Sequence, residues 1–214
     1  FTFAWMKLLI KQINQSKFIW LLLFLLITAA TIFLFSYDKA DAFEILTRYH
    51  NKKLDLFFTW FTYLGDGLFI IAISVLLFLF RKKLLALGIL LSYAISGLLV
   101  QLLKNIIFSP RPAVFFKQVG KPFYEVPDVT LLSSNASFPS GHTASAFVLM
   151  SMIVLFYPKQ RWNYLFLLLA IMVGYSRMYL SNHFLTDVVA GAIIGIITTF
   201  GCYILMQKTL VKNS

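Results

Sequence analysis

The sequence predicts an all-α fold, a bundle of six transmembrane helices forming one domain over residues 1–214. Of these residues 60% are hydrophobic and 13% charged, against about 45–50% and about 25% in soluble domains. Six apolar runs approach the roughly 20 residues that a helix needs to cross a bilayer. Lys and Arg crowd the short turns between alternate runs, which marks one membrane side.

The first run, Phe18–Ser36, follows Lys7, Lys11 and Lys17, as in a cleaved signal sequence. Its apolar core is longer than a signal core, and no small-residue cleavage site precedes Tyr37-Asp38-Lys39, so a retained helix is expected. Next, Asp41–Asn51 carries Phe43, Leu46 and Tyr49 at helical spacing among polar residues, the pattern of a short helix on the outer interface. Phe57–Phe80 and Leu84–Leu103, the second and third runs, flank Arg81-Lys82-Lys83. A connection of about thirty residues follows, longer than the usual structureless link and so expected to be a functional loop. Five of the six prolines lie in it, between Pro110 and Pro139. The fourth run, His142–Tyr157, is short and is expected to begin a few residues earlier. Trp162–Tyr179 and Phe184–Gln207 complete the set. Gly191 and Gly195 in the sixth run form a small-xxx-small pair, expected to pack inside the bundle. Cys202 is the single cysteine, which excludes a disulfide framework and a cysteine metal site.

With six spans, Arg81, Lys82, Lys83, Lys159, Arg161, Lys208 and Lys212 share the side of the N-terminus. Their density in short turns makes that side cytoplasmic and places both termini there. All eight acids, Asp128 among them, fall on or near the outer side. The net charge of +11 therefore matches anionic lipid headgroups and gives no argument for nucleic acid.

Three polar clusters stand at outer ends of these runs. Lys104 and Arg111 come first, with Arg111 bracketed by Pro110 and Pro112, which end the helix and stiffen the backbone beside the guanidinium. Arginine offers a planar fork to phosphate oxygens and lysine a point charge. Pro139-Ser140-Gly141-His142 then enters the fourth run, where unpaired amides and the helix dipole favour an anion. The same residues also suit an ordinary helix cap. Last come Ser176-Arg177, His183 and Asp187. His183 and Asp187 are four apart, on one face if helical, and a carboxylate on one ring nitrogen fixes the tautomer and raises the basicity of the other. Three cations, two imidazoles and a carboxylate on one membrane side suit phosphoryl transfer without a metal. His50 has no such neighbours and is expected at the surface.

In order and spacing these clusters resemble the signature of the type 2 phosphatidic acid phosphatase superfamily, shared with vanadium haloperoxidases and glucose-6-phosphatase. That signature reads Lys-x6-Arg-Pro, Pro-Ser-Gly-His and Ser-Arg-x5-His-x3-Asp, and every element is present between Lys104 and Asp187. The resemblance implies that His183 attacks phosphorus, that Asp187 orients it, and that His142 protonates the leaving oxygen and then activates water. It implies phosphate binding by Lys104, Arg111, Ser140, Gly141 and Arg177, with no metal or other cofactor. Lipid phosphates or diphosphates are the implied substrates, undecaprenyl diphosphate first, then phosphatidylglycerophosphate, phosphatidate and lipid A phosphates. Small size and an outward-facing site point to a bacterial inner-membrane enzyme, with the lipid bilayer and substrate as its only evident partners. A six-span transporter would place its charges near mid-membrane on broken helices, and a catalytically dead lipid-binding relative would normally lack His183 or Asp187.

Overall fold

The computed structural model describes residues 4–127, 129–130 and 132–212; Asp128 lies outside them. Among the described residues all extended regular structure is helical: α1 (Ala4–Gln15), α2 (Lys17–Ser36), α3 (Lys39–Thr47), α4 (Lys52–Phe61), α5 (Gly67–Leu79), α6 (Lys83–Ile106), α7 (Pro112–Val119), α8 (Gly141–Phe156), α9 (Asn163–Tyr179) and α10 (Leu185–Lys212). Helices α2, α6 and α10 are long and apolar enough to cross a membrane, and α4 with α5 makes a fourth span if the bent pair is counted as one. Helices α8 and α9, of 16 and 17 residues, correspond to the fourth and fifth runs but fall short of that length.

Helix α8 is the axis of the molecule. Every residue from Thr143 to Leu155 is buried, as expected of a helix that is apolar all round. Around it pack α6, α9 and α10. On α6 the buried positions Leu85, Ile89, Ser92, Ser96 and Val100 recur every three or four residues, while Leu87, Leu91, Leu98 and Leu102 face outward. The small residues Ala86, Gly88, Ser92 and Ser96 on the buried face, beside Leu85, Ile89 and Val100, let helices approach closely within lipid. Gly191 and Gly195 meet α8 as expected: a Cβ at Gly191 would strike the Ser140 carbonyl oxygen, and one at Gly195 that of Ala144. Helix α2 is peripheral, burying only Ile19 and Leu23.

Three expectations are corrected. The second run is not continuous, because the chain passes from α4 through a 3-10 turn at Thr62–Gly65 and bends by 56° into α5. Asp66 causes the restart by accepting a hydrogen bond from Leu68 N at 2.8 Å, a helix cap inside an apolar stretch. The long connection is not all loop, since α7 forms with Pro112 in its first turn and ends at Gly120, whose φ of +66° is the left-handed stop. Helix α8 starts at Gly141, not several residues earlier.

Helix α3 is present, but Phe43 does not lie on lipid. It is buried against Phe116 of α7 (5.2 Å) and Phe184 (5.5 Å). Phe116 is itself fully buried, and burying one phenylalanine contributes roughly 1.5–3 kcal/mol. This aromatic cluster fixes α3 and α7 over the segment that carries His183.

Candidate active site

His183 and Asp187 are joined by a turn, not by one helical face. Helix α9 stops at Tyr179, Ser181 takes a positive φ of 54°, and the amides of Asn182 and His183 both return to the Arg177 carbonyl. Helix α10 begins at Leu185, so Asp187 sits in its first turn, where the dipole favours a carboxylate. Asp187 Oδ2 lies 3.3 Å from His183 Nδ1 and accepts from the Ser137 hydroxyl at 2.5 Å and from Phe184 N at 3.0 Å. Both side chains are buried. Burial pushes the His183 imidazole down to about 4, with nearby Arg177 and Arg111 adding to the shift and Asp187 opposing it. The ring is therefore neutral at physiological pH, with Nδ1 against the carboxylate and Nε2 turned toward Arg111 Nη1 at 3.5 Å.

The cations converge from three elements. Arg111 is pinned by Asn182 O (2.9 Å), Ser134 Oγ (3.0 Å) and Ala136 O (3.4 Å). Lys104, in the last turn of α6, donates to Ala136 O at 2.8 Å. A parallel bridge between Ser109 and Ala136 ties the two segments together. Arg177 is buried, with Nη1 on Thr62 Oγ1 at 2.7 Å and its Nε without a hydrogen-bond partner among the described residues. An unpaired guanidinium nitrogen inside a protein is costly unless an anion completes it.

Ser140 caps α8 as expected. Its Oγ accepts from Thr143 Oγ1 at 2.8 Å and from Thr143 N at 3.4 Å, while its own amide donates to Asp187 O at 2.9 Å. That last bond links the second cluster to the third. The first-turn amides of Gly141 and His142 have no acceptor within the helix. His142 is within electrostatic range of Arg177, His183, Lys104 and Arg111. All eight residues singled out in the sequence therefore gather at one end of the bundle.

Ser137, Thr62 and Asp66 join them without having been singled out. Ser137 is bonded to Asp187 and lies 3.4 Å from His183 Nδ1. The sequence signals were thin: a hydroxyl three residues before Ser140, and an acid between two glycines inside an apolar run.

The expectation for His50 is overturned. Its ring stacks on Tyr124 (4.0 Å), contacts Tyr179 (4.3 Å), and stands 3.6 Å from Asp55. Asp55 is buried and accepts from Tyr179 at 2.6 Å and Tyr124 at 2.9 Å. Burial pushes the His50 imidazole below its ordinary value, and the Asp55 charge opposes the shift. The cluster clamps α4 and the loop at Tyr124 to the end of α9, two residues beyond Arg177. Asp55→Ala is expected to lower the thermal midpoint in detergent, because an unsatisfied buried hydroxyl costs about 1–3 kcal/mol. Tyr124→Phe, at a half-exposed ring, is expected to lower it less.

The apolar helices carry a polar, cationic end that holds His142 and His183, and comparison with known proteins gives the family. Residues 85–210 match the model of the PAP2 superfamily. The chain belongs to that superfamily. It is 30% identical over 197 residues to phosphatidylglycerophosphatase B of Bacillus subtilis, covering 84% of this chain and 90% of that protein. Undecaprenyl-diphosphatase BcrC of Bacillus subtilis is 27% identical over 161 residues, covering 71% of this chain and 75% of that protein. A stretch of 81 residues is 40% identical to the bacitracin transport permease protein BcrC of Bacillus licheniformis, but it spans only 39% of that protein's length and 36% of this chain. Among crystal structures, Aquifex aeolicus LpxE superposes with a TM-score of 0.65 at 32% identity, covering 77% of this chain and 93% of LpxE. A PAP2-type phosphatidylglycerolphosphate phosphatase from Bacillus subtilis superposes at 0.62 and 26% identity, covering 93% of this chain and 98% of that one.

Proposed function

We propose that the chain is a single-domain lipid phosphate phosphatase that hydrolyses a phosphate or diphosphate headgroup through a phosphohistidine at His183, without a metal. The observation that carries this reading is the geometry of His183: a buried imidazole with Nδ1 3.3 Å from Asp187 Oδ2 and Nε2 turned to the Arg111 guanidinium. Nε2 attacks phosphorus. Arg111, Lys104, Arg177 and the N-terminal amides of α8, with Ser140, hold the phosphoryl oxygens. Charge on those oxygens is what a phosphoryl-transfer site must stabilise, and three cations supply that stabilisation. The unpaired Nε of Arg177 is a donor that a bound phosphate would satisfy. His142 gives a proton to the leaving oxygen and later takes one from the water that releases phosphate.

In this reading α2, the bent α4–α5 pair, α6, α8, α9 and α10 are six spans. Helix α8 crosses short because partners surround it, and α9 is the other short crossing. Both termini face the cytoplasm, and the site opens on the outer surface of a bacterial inner membrane, where a lipid tail stays in the bilayer while its headgroup reaches the cations. Undecaprenyl diphosphate is the first substrate proposed, supported by the similarity to an undecaprenyl-diphosphatase. Phosphatidylglycerophosphate is the second reading, favoured by the longer match to phosphatidylglycerophosphatase B; phosphatidate and lipid A phosphates follow.

The test is phosphate release by the purified protein in excess EDTA from a panel of these lipids. Release is expected to survive the chelator, with undecaprenyl diphosphate turned over fastest. Loss of all activity in EDTA, restored by Mg²⁺, would overturn the metal-free reading.

A further inference from the structure

Asp66 lies outside the three sequence clusters, yet the break in the second run delivers it to the site. Its Oδ1 caps α5 through Leu68 N at 2.8 Å, and its Oδ2 lies 3.8 Å from His142 Nε2. Gly65 makes this approach feasible. A Cβ there would stand 2.7 Å from the His142 carbonyl oxygen and 2.5 Å from Val173 Cγ1, so the turn before Asp66 is pressed directly onto the first turn of α8. Asp66 also faces Arg177 electrostatically. Among the described residues, the polar end of the bundle otherwise sets Lys104, Arg111 and Arg177, with Lys39 nearby, against the carboxylate of Asp187, which is already engaged with His183, Ser137 and Phe184 N.

We propose that Asp66 is the positioning partner of His142: its carboxylate accepts a hydrogen bond from Nε2–H, fixes the ring's tautomer and balances the imidazolium, as Asp187 does for His183. This rests on the phosphohistidine reading above. In the first half-reaction the Nε2 lone pair of His183 forms the P–N bond as the P–O bond to the leaving group breaks. The released electron pair stays on the leaving oxygen, which takes a proton from His142. In the second half, His142 removes a proton from water, the water oxygen bonds to phosphorus, and the P–N electrons return to His183. His142 thus cycles between charged and neutral forms, and the charged form needs a counterion among three cations. At 3.8 Å the pair is beyond hydrogen-bond distance, and catalytic hydrogen bonds in unliganded sites commonly tighten only in the complex.

Leaving-group dependence separates this role from a structural one. Asn caps a helix as well as Asp does, so Asp66→Asn removes the charge and keeps α5 anchored. The quantity to measure is kcat/KM, which reports only the steps through leaving-group release, for dodecyl phosphate and for 4-nitrophenyl phosphate. An alkoxide needs the proton and a nitrophenolate does not. Asp66→Asn is expected to lower kcat/KM for dodecyl phosphate by about 10- to 100-fold and for the aryl ester by less than about 3-fold, with Asp66→Glu recovering part of the alkyl activity. Equal losses on both esters, or no loss on either, would overturn the pairing. If the parent is active but His142→Ala shows no leaving-group dependence, the role given to His142 falls, and the pairing with it. A parent inert on both esters and on the lipid panel would overturn the phosphatase reading itself.

Discussion

His183→Ala is expected to reduce phosphate release by at least about 10⁴-fold, the scale on which loss of a covalent nucleophile acts. In the proposed mechanism neither other imidazole can take its place: His142 is at the entry of α8, facing Asp66, and His50 is locked between Tyr124 and Tyr179. Asp187→Asn tests the support. It keeps the volume but removes the charge that accepts Ser137, Phe184 N and His183 Nδ1. A loss of about 10²–10⁴-fold is expected, in line with wrong-tautomer variants of other triads. Because burial lowers His183 to about 4, its ring is expected to stay neutral as pH falls through the ordinary histidine value of about 6.5. Histidine ¹⁵N shifts check this, and a ring that protonates near that value would contradict the burial argument.

Gly191→Ala is expected to damage both stability and activity although it adds one methyl to an apolar stretch of α10, one turn beyond Asp187. The new Cβ would overlap the Ser140 carbonyl oxygen and stand 3.2 Å from Thr143 Cβ, and those atoms belong to the helix cap that carries Ser140, Gly141 and His142. Backbone cannot swing aside as a side chain does, so α10 must move off α8. Asp187 starts the same helix and accepts the Ser140 amide, so that movement separates the second cluster from the third. Overpacking of this kind costs about 1–3 kcal/mol, and a thermal melt in detergent alongside the phosphatase assay reads both effects. Gly201→Ala is the control: nothing lies within 4 Å of a Cβ there, and replacing an open helical glycine is expected to be neutral or stabilising by up to about 1 kcal/mol.

The sequence made the helices and the eight clustered residues legible for different reasons. Apolar runs report helices of membrane-spanning character because lipid imposes one polarity, and the packing of those helices brings three distant clusters to one end of the bundle. Interruptions inside those runs were not legible. The bend at Gly65-Asp66 depends on a single cap bond and on the close approach of Gly65 to α8, which mean hydropathy cannot register. The same blindness hid the partners of each site residue. Ser137, Thr62 and Asp66 act through contacts across 50, 115 and 76 residues of chain respectively, with no periodicity to announce them. His50 was misjudged because its neighbours Tyr124 and Tyr179 come from other segments; only Asp55 is close in sequence.

The central claim is tested most directly by trapping the enzyme during turnover of a ³²P-labelled lipid phosphate and mapping the label. The account predicts an acid-labile, base-stable phosphoryl group on His183 that accumulates in His142→Ala and never forms in His183→Ala. Label on another residue, or steady turnover by the His183→Ala protein, would contradict it.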